Sequence, residues 1–295
     1  MGTPEFAVAS LDALVKAGHN IVGVITAPDK PAGRGMKMNT SAVKKYAAEH
    51  SLHVLQPEKL KNPEFLEQLR ELGADLQIVV AFRMLPEVVW SMPPMGTVNV
   101  HASLLPAYRG AAPINWAIIN GETETGVTTF KLTHEIDTGN ILLQEKVQIA
   151  EDDSAGDLHD KLKEAGARLL LETVSGLADG SIKERPQQGT SATHAPKLST
   201  ETARINWSDR AVKIHNLIRG LSPYPGAFTS LRGNVFKIYK SAYTNESTGS
   251  QPGEFETDNR KYLRFSASDG YIYAKEIQME GKKRMSIEEF LRGFR

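Results

Sequence analysis

The sequence predicts an α/β protein, a doubly wound, mainly parallel sheet followed by a small β-barrel. Three observations carry this. In the first half, short β-branched apolar runs alternate with stretches of helical spacing, as βαβ units do. Residues 181–205 are rich in Ser, Thr, Pro, Gln and charge, with little periodicity, and read as a linker. Residues 206–295 break into short strand-like runs separated by Gly, Asn and Asp turns. With 295 residues the chain has room for two ordinary domains, read here as 1–180 and 206–295.

The elements follow in order. Phe6–Ala17 has apolar residues at helical spacing and stops at Gly18, which suits a helix C′ position. Asn20–Thr26 reads as a buried strand, and Ala42–Leu52 as a helix behind the capping candidates Asn39, Thr40 and Ser41. Asn62-Pro63 opens a third helix, Asn as N-cap and Pro at N1, which ends at Gly73. Leu76–Phe82 and Thr97–His101 are further strands. Pro113–Asn120 is a short helix, Val127–Thr133 and Ile141–Ile149 resemble an antiparallel pair, and Asp157–Ala178 is a long helix closing at Gly180. Asp209–Leu221 is helical, and strands are expected around Ala227–Leu231, Val235–Lys240, Tyr262–Ser266 and Tyr271–Ala274. In such parallel sheets ligands bind beyond the carboxyl ends of the strands.

Composition removes several classes of protein. Hydrophobic residues make up 40% and charged residues 24%, which suits a globular chain and not a disordered or fibrous one. The densest apolar run, Leu76–Phe82, is strand-sized and far short of the ~20 residues that span a bilayer. With no cysteine, disulfides, thiolate nucleophiles and Cys-ligated zinc or iron–sulfur clusters are excluded. Phe6 stands where a myristoylation signal wants Ser or Thr, and Glu5 and Asp12 do not suit a secretory signal. The expected compartment is the bacterial cytoplasm or an organelle matrix. The charge total is balanced, 35 basic against 35 acidic side chains, but it is unevenly spread. Residues 206–295 hold 15 Lys/Arg against 10 Asp/Glu, and Asp29–Lys45 holds Lys30, Arg34, Lys37, Lys44 and Lys45 against Asp29 alone. Basic patches of this size are compatible with a solvated surface or with a polyanionic partner.

Chemistry concentrates in Thr97–Pro113, TVNVHASLLPAYRGAAP. Asn99 and His101 alternate along a strand and point to one face at its carboxyl end. An amide that stabilises an oxyanion beside an imidazole that moves a proton suits acyl transfer, although a histidine at a strand end also fits a buried structural role. Asp137, in His134-Glu135-Ile136-Asp137-Thr138-Gly139, offers a carboxylate to orient such an imidazole, and Asp-x-Gly is also a common turn. A rival grouping takes His101, His134 and Asp137 as a metal site. Pro28–Met38, PDKPAGRGMKM, is a glycine-flanked basic loop that suits phosphates but follows the wrong strand for a dinucleotide fingerprint. Tyr239, Tyr262, Phe265, Tyr271 and Tyr273 alternate as barrel core does, and also suit base stacking.

Taken together these segments resemble the 10-formyltetrahydrofolate-dependent formyltransferases, and among them the methionyl-tRNA-specific branch, over nearly the whole chain. The matching stretches are GTPEFAV at 2–8, PDKPAGRG at 28–35, NVHASLLPAYRGAAPINWAI at 99–118, DTGN at 137–140 and INW…HNLIRGLSPYPGA at 205–227. The resemblance implies a Rossmann-like formyltransferase domain and a C-terminal OB-like, tRNA-binding domain. It implies formyl transfer from 10-formyltetrahydrofolate to the α-amine of methionine on initiator tRNA, by a monomer without metal or membrane. Asn99 is then expected to stabilise the tetrahedral oxyanion, His101 to assist the attack, and Asp137 to orient His101 and help protonate the leaving folate nitrogen. Ser103, Leu104, Leu105 and Pro106 are expected along the folate, and Arg34 and Lys37 at the tRNA.

Three departures from the family pattern stand out. Phe82-Arg83 replaces a common Tyr-Gly, His134-Glu135-Ile136 replaces a smaller or more apolar stretch, and only Met1 precedes the Gly2-Thr3-Pro4 turn where members carry a first strand. A start codon assigned too late is the expected reason for the last. The competing functional expectations are a formyltransferase for a small amine such as an amino-sugar nucleotide, and a catalytically dead RNA-binding protein.

Overall fold

The computed structural model describes residues 1–32, 37–188 and 192–294. In chain order the elements of the first half are α1 (Glu5–Lys16), β1 (Val24–Ile25), β2 (Lys30–Ala32), β3 (Lys37–Asn39), α2 (Ala42–Glu49), β4 (Val54–Leu55), α3 (Pro63–Glu71), β5 (Gln77–Val80), α4 (Glu87–Trp90) and β6 (Thr97–His101). Then come β7 (Arg109–Gly110), α5 (Pro113–Ile119), β8 (Glu124–Lys131), β9 (Ile141–Gln148), α6 (Ala155–Ala178) and β10 (His194–Ala195). The remainder is α7 (Thr200–Ala203), α8 (Ala211–Gly220), β11 (Ala227–Leu231), β12 (Asn234–Thr244), β13 (Phe255–Thr257), β14 (Leu263–Ser266), β15 (Tyr271–Met279), β16 (Met285–Ser286) and α9 (Ile287–Leu291).

The expected caps form. Ser41 Oγ accepts from Lys44 N at 3.0 Å, and Asn62 Oδ1 accepts from Glu64 N at 3.1 Å with Pro63 at the first helical position. Each such cap contributes about 1 kcal/mol. Gly18 and Gly73 terminate α1 and α3 at φ +78° and +58°, a region that strains any residue with a Cβ.

Two compact units result. The first comprises Met1–Gly110, Gly126–Val147 and His159–His194; the second comprises Ala111–Thr125, Gln148–Leu158 and Ala195–Arg295. This differs from boundaries at 180 and 206, because α5 belongs with α8. Asn115 Nδ2 donates to Gly220 O at 2.8 Å, and a Cβ on Gly220 would come within 2.6 Å of Ile119. The stretch read as a linker carries β10 and α7.

In the first unit β1 runs parallel to β4 and β5 parallel to β6, as βαβ units require; β8 is antiparallel to β6, and β9 lies beside β8. Val79, Leu85, Val89, Phe65 and Leu69 form the core against this sheet. Asn20–Thr26, expected as one strand, is paired only at Val24–Ile25. The reason lies beside it. Between β1 and β5 the sheet is bridged by two residues: Gly2 N donates to Ile25 O at 3.1 Å, Val80 N to Met1 O at 2.9 Å, and the Met1 amine to Ile78 O at 2.6 Å. Next to this bridge lies a cavity of about 130 Å³ lined by Ile21, Val22, Gln77 and Ile78 among others. β2 and β3 pair as an antiparallel hairpin within the basic stretch.

The second unit is a curled antiparallel half-barrel in the order β11-β12-β15-β14-β13, with β16 beside β15, consistent with an OB-like domain. Phe236, Ile238, Phe265, Ile272 and Ile277 fill it together with Ile214 and Ile218 of α8. Tyr239, Phe265 and Tyr271 are buried, so these aromatic residues serve as barrel core. Trp207 stacks on Phe265 at 4.5 Å.

Candidate active site

β6 pairs with β5 on one side and β8 on the other, which fixes Asn99 opposite Val79 and Phe130, and His101 opposite Thr128. Two residues apart on one strand, Asn99 and His101 share a face. The Asn99 side chain is half-buried, and its amide has no hydrogen-bond partner among the described residues. It is a donor free for a ligand.

His101 is 7% exposed and edge-on to Phe130, the ring centroids 6.5 Å apart. Its Nε2 lies 2.9 Å from Tyr108 O. A carbonyl only accepts, so Nε2 carries hydrogen and Nδ1 is left for other partners. Nδ1 faces Asp137 Oδ2 at 3.8 Å. That is too long for a hydrogen bond.

Asp137 reaches this position through an unusual backbone. Its φ is +55°, the left-handed region, which Asp tolerates better than most residues. Gly110 N donates to Oδ2 at 2.8 Å. Gln187 Nε2 donates to Asp137 O at 2.8 Å and Gly139 O at 2.9 Å, while Gln187 Oε1 accepts from Arg109 Nη2 at 2.5 Å. Gly139 has no alternative: a Cβ there would sit 1.7 Å from Lys131 O.

Ser103–Pro106 form the turn after β6, held by one hydroxyl. Thr128 Oγ1 donates to Ser103 O at 2.7 Å and accepts from Leu105 N at 3.1 Å and Gln144 Nε2 at 3.0 Å, which uses its whole hydrogen-bonding capacity. Gln144 also donates to Leu105 O at 3.0 Å. Ser103 is fully buried with its hydroxyl on Ala107 O, and Leu105 is 3% exposed, while Leu104 and Pro106 are half-buried. Gly126 makes room for Leu104, whose Cδ2 would lie 2.5 Å from a Cβ at that position.

Asn99, His101 and Asp137 thus lie in one unit. Arg34 lies outside the described residues, and Lys37 has its backbone opposite Ala32 in the hairpin. The grouping of His101, His134 and Asp137 does not assemble: among the described residues no three His, Cys, Asp or Glu side chains are arranged to hold a metal. His134, Glu135 and Ile136 are exposed, and their loop is tied by Thr138 Oγ1 donating to Glu135 O at 3.1 Å. Arg83 turns away to Glu58 O at 2.7 Å and to Pro57 O. Gln187, Arg109, Thr128 and Gln144 escaped sequence reasoning. Arg109 sits inside the richest motif, while nothing in Pro186-Gln187-Gln188 marks a side chain that returns to Asp137.

A Rossmann-like sheet with an amide, an imidazole and a carboxylate at the end of its central strand, followed by an OB-like half-barrel, defines a one-carbon transferase. The chain belongs to the formyl transferase family: its formyl transferase model matches residues 1–174 and the C-terminal domain model residues 197–295. Methionyl-tRNA formyltransferase of Bacteroides fragilis is 52% identical, covering 100% of this chain and 94% of that protein. The protein of the same name from Ruminiclostridium cellulolyticum is 43% identical over 99% of this chain and 95% of its own length. A solved N-formyltransferase from Helicobacter canadensis, in complex with folinic acid and dTDP-3-aminofucose, superposes with a TM-score of 0.71 at 26% identity, covering 94% of this chain and 97% of that one. The protein is a formyl-transferring enzyme using a folate-derived donor.

Proposed function

We propose that this enzyme moves the formyl group of 10-formyltetrahydrofolate onto the α-amine of methionine carried by initiator tRNA, for translation initiation in the bacterial cytoplasm. Whole-chain relatives of that name near 50% identity support the reading. The observation that carries the chemistry is the unengaged Asn99 amide beside a His101 ring oriented by Tyr108 O and Asp137.

The neutral amine attacks the formyl carbon, forming a C–N bond and pushing the carbonyl electrons onto oxygen. The Asn99 N–H stabilises that oxyanion. Collapse of the intermediate restores the carbonyl and breaks the bond to N10. The proton lost by the attacking nitrogen passes by way of His101 and Asp137 to N10, releasing formyl-methionyl-tRNA and tetrahydrofolate. Leu104 and Pro106, with the backbone of Ser103 and Leu105, bound the folate; Arg34 and Lys37 meet tRNA phosphates. The enzyme acts as a monomer.

Purified protein is incubated with the formyl donor and either Met-tRNA or an amino-sugar nucleotide. The expected result is formylation of the tRNA alone, with kcat lowered about 10²-fold or more in Asn99→Ala and His101→Ala. Parent-level rates in both folded variants overturn the site, and formylation of the sugar alone overturns the substrate.

A further inference from the structure

The second unit contains a cavity that this chemistry does not use. Its volume, about 700 Å³, falls in the roughly 300–1,000 Å³ range of small-molecule sites. Three of its lining residues, Lys197, Arg204 and Lys237, are cationic, and none is Asp or Glu. Lys197 is exposed and has no hydrogen bond or ion pair among the described residues. Arg204 lies 5.2 Å over the Phe228 ring, with its nearest carboxylate, Glu201, 3.9 Å away and 83% exposed. Lys237 donates to Pro225 O at 2.8 Å, which holds it under the rim.

On that rim Tyr224 is 81% exposed, far more than any other tyrosine or phenylalanine of the described residues. Its hydroxyl has no partner among them. The loop that presents it continues through Gly226 at φ +85°, where a Cβ would lie 2.8 Å from the Tyr239 ring. An aromatic face open to solvent above a pocket whose charged lining is all cationic is chemically complementary to a planar base joined to a phosphate. Protein ligands present carboxylates or apolar side chains and have no comparable need for both features.

We propose that this cavity binds one unpaired nucleotide of the RNA substrate, its base stacked on Tyr224 and its phosphates met by Lys197 and Arg204. The proposal rests on the reading of the substrate as tRNA. It assigns Tyr224 a share of substrate binding and no share of the chemical step.

The test measures formylation kinetics and, separately, filter binding of Met-tRNA, for the parent, Tyr224→Ala, Tyr224→Phe and Lys197→Ala. Tyr224→Ala is expected to raise KM for Met-tRNA about 5- to 150-fold, the effect of losing one base stack, with kcat and the formyl-donor KM unchanged. Tyr224→Phe keeps the ring and restores parent values. Lys197→Ala lowers the slope of log affinity against log salt by about 1. In filter binding, the difference between parent and Tyr224→Ala disappears for tRNA trimmed of its unpaired 3′ nucleotides. Parent-like KM in Tyr224→Ala overturns the proposal, as does a loss that Tyr224→Phe does not rescue. If the parent transfers no formyl group to tRNA, the substrate reading fails; filter binding then still decides the cavity, equal affinity of parent and Tyr224→Ala overturning it.

Discussion

Gly139→Ala tests whether the Asp137 loop is held in place by steric necessity. The added Cβ would stand 1.7 Å from Lys131 O, where about 3.0 Å is the closest approach that real side chains show. One of the two main chains must therefore move by about 1.3 Å, the difference between those distances. Lys131 is paired within the sheet, its backbone opposite Val98 of β6, so the displaced segment is the loop of Asp137, two residues away. Misplacing a catalytic group by about 1 Å costs on the order of 10²-fold in rate. The expected result is a kcat about 100-fold lower, with a fall in Tm of several degrees from roughly 1–3 kcal/mol of overpacking. Gly180→Ala is the control. Its φ is +73° and no atom lies within 4 Å of the new Cβ, so it costs about 1–2 kcal/mol of backbone strain at a position away from the site. Single-turnover formylation, with thermal unfolding followed by circular dichroism, separates the two effects. Equal kcat losses in both variants, or a Gly139→Ala enzyme within threefold of the parent, refute the steric argument.

Gln187→Leu removes both hydrogen bonds that clamp Asp137 O and Gly139 O, worth about 1 kcal/mol each, and is expected to lower kcat roughly tenfold while leaving Tm within a few degrees; parent-like kcat by stopped assay refutes the clamp. Arg109→Lys loses the forked contact with Gln187 Oε1 and is expected to act in the same direction, with little further loss in the Gln187→Leu background. Thr128→Val leaves Ser103 O, Leu105 N and Gln144 Nε2 short of a partner, and a Tm no lower than that of the parent counts against the hub. His215 is buried with Nδ1 2.9 Å from Ser241 Oγ, and burial, with Arg219 nearby, holds its pKa below 6.5. The unfolded state therefore takes up the proton first as pH falls below 6.5, and stability declines over that window. His215→Gln is expected to flatten the pH dependence of the urea midpoint between about pH 6.5 and 5, and an unchanged slope refutes the assignment.

The grouping of Asn99, His101 and Asp137 in one unit was legible because its signals are local. Asn99 and His101 share one strand face by simple alternation, and Asp137 sits in a turn sequence that tolerates positive φ. The sheet pattern was legible for the same reason: Thr97–His101 forms the strand its β-branched residues specify. What escaped is non-local. Gln187 acts fifty residues from Asp137 in a stretch whose composition reads as surface, and Thr128 is one of two adjacent threonines with nothing in sequence to tell them apart. The two compact units do not follow the composition shift at the linker, because α5 is assigned by its packing on α8. Asn20–Thr26 has the residues of a longer strand, but backbone pairing needs a neighbour along its full length.

The two-residue bridge between β1 and β5 makes a seam in an otherwise continuous sheet. Across it run three hydrogen bonds, from Gly2 N, Val80 N and the Met1 amine. A sheet interrupted in this way need not open all at once: the Val24–Ile25 and Val54–Leu55 ribbon can separate while Thr97–His101, paired on both sides, stays closed. The amide protons of Gly2 and Val80, which cross the seam, then exchange with solvent through a partial opening of low free energy, and those of Val98 and Val100 only through global unfolding. The strand that carries Asn99 and His101 lies on the slow-exchanging side of that seam.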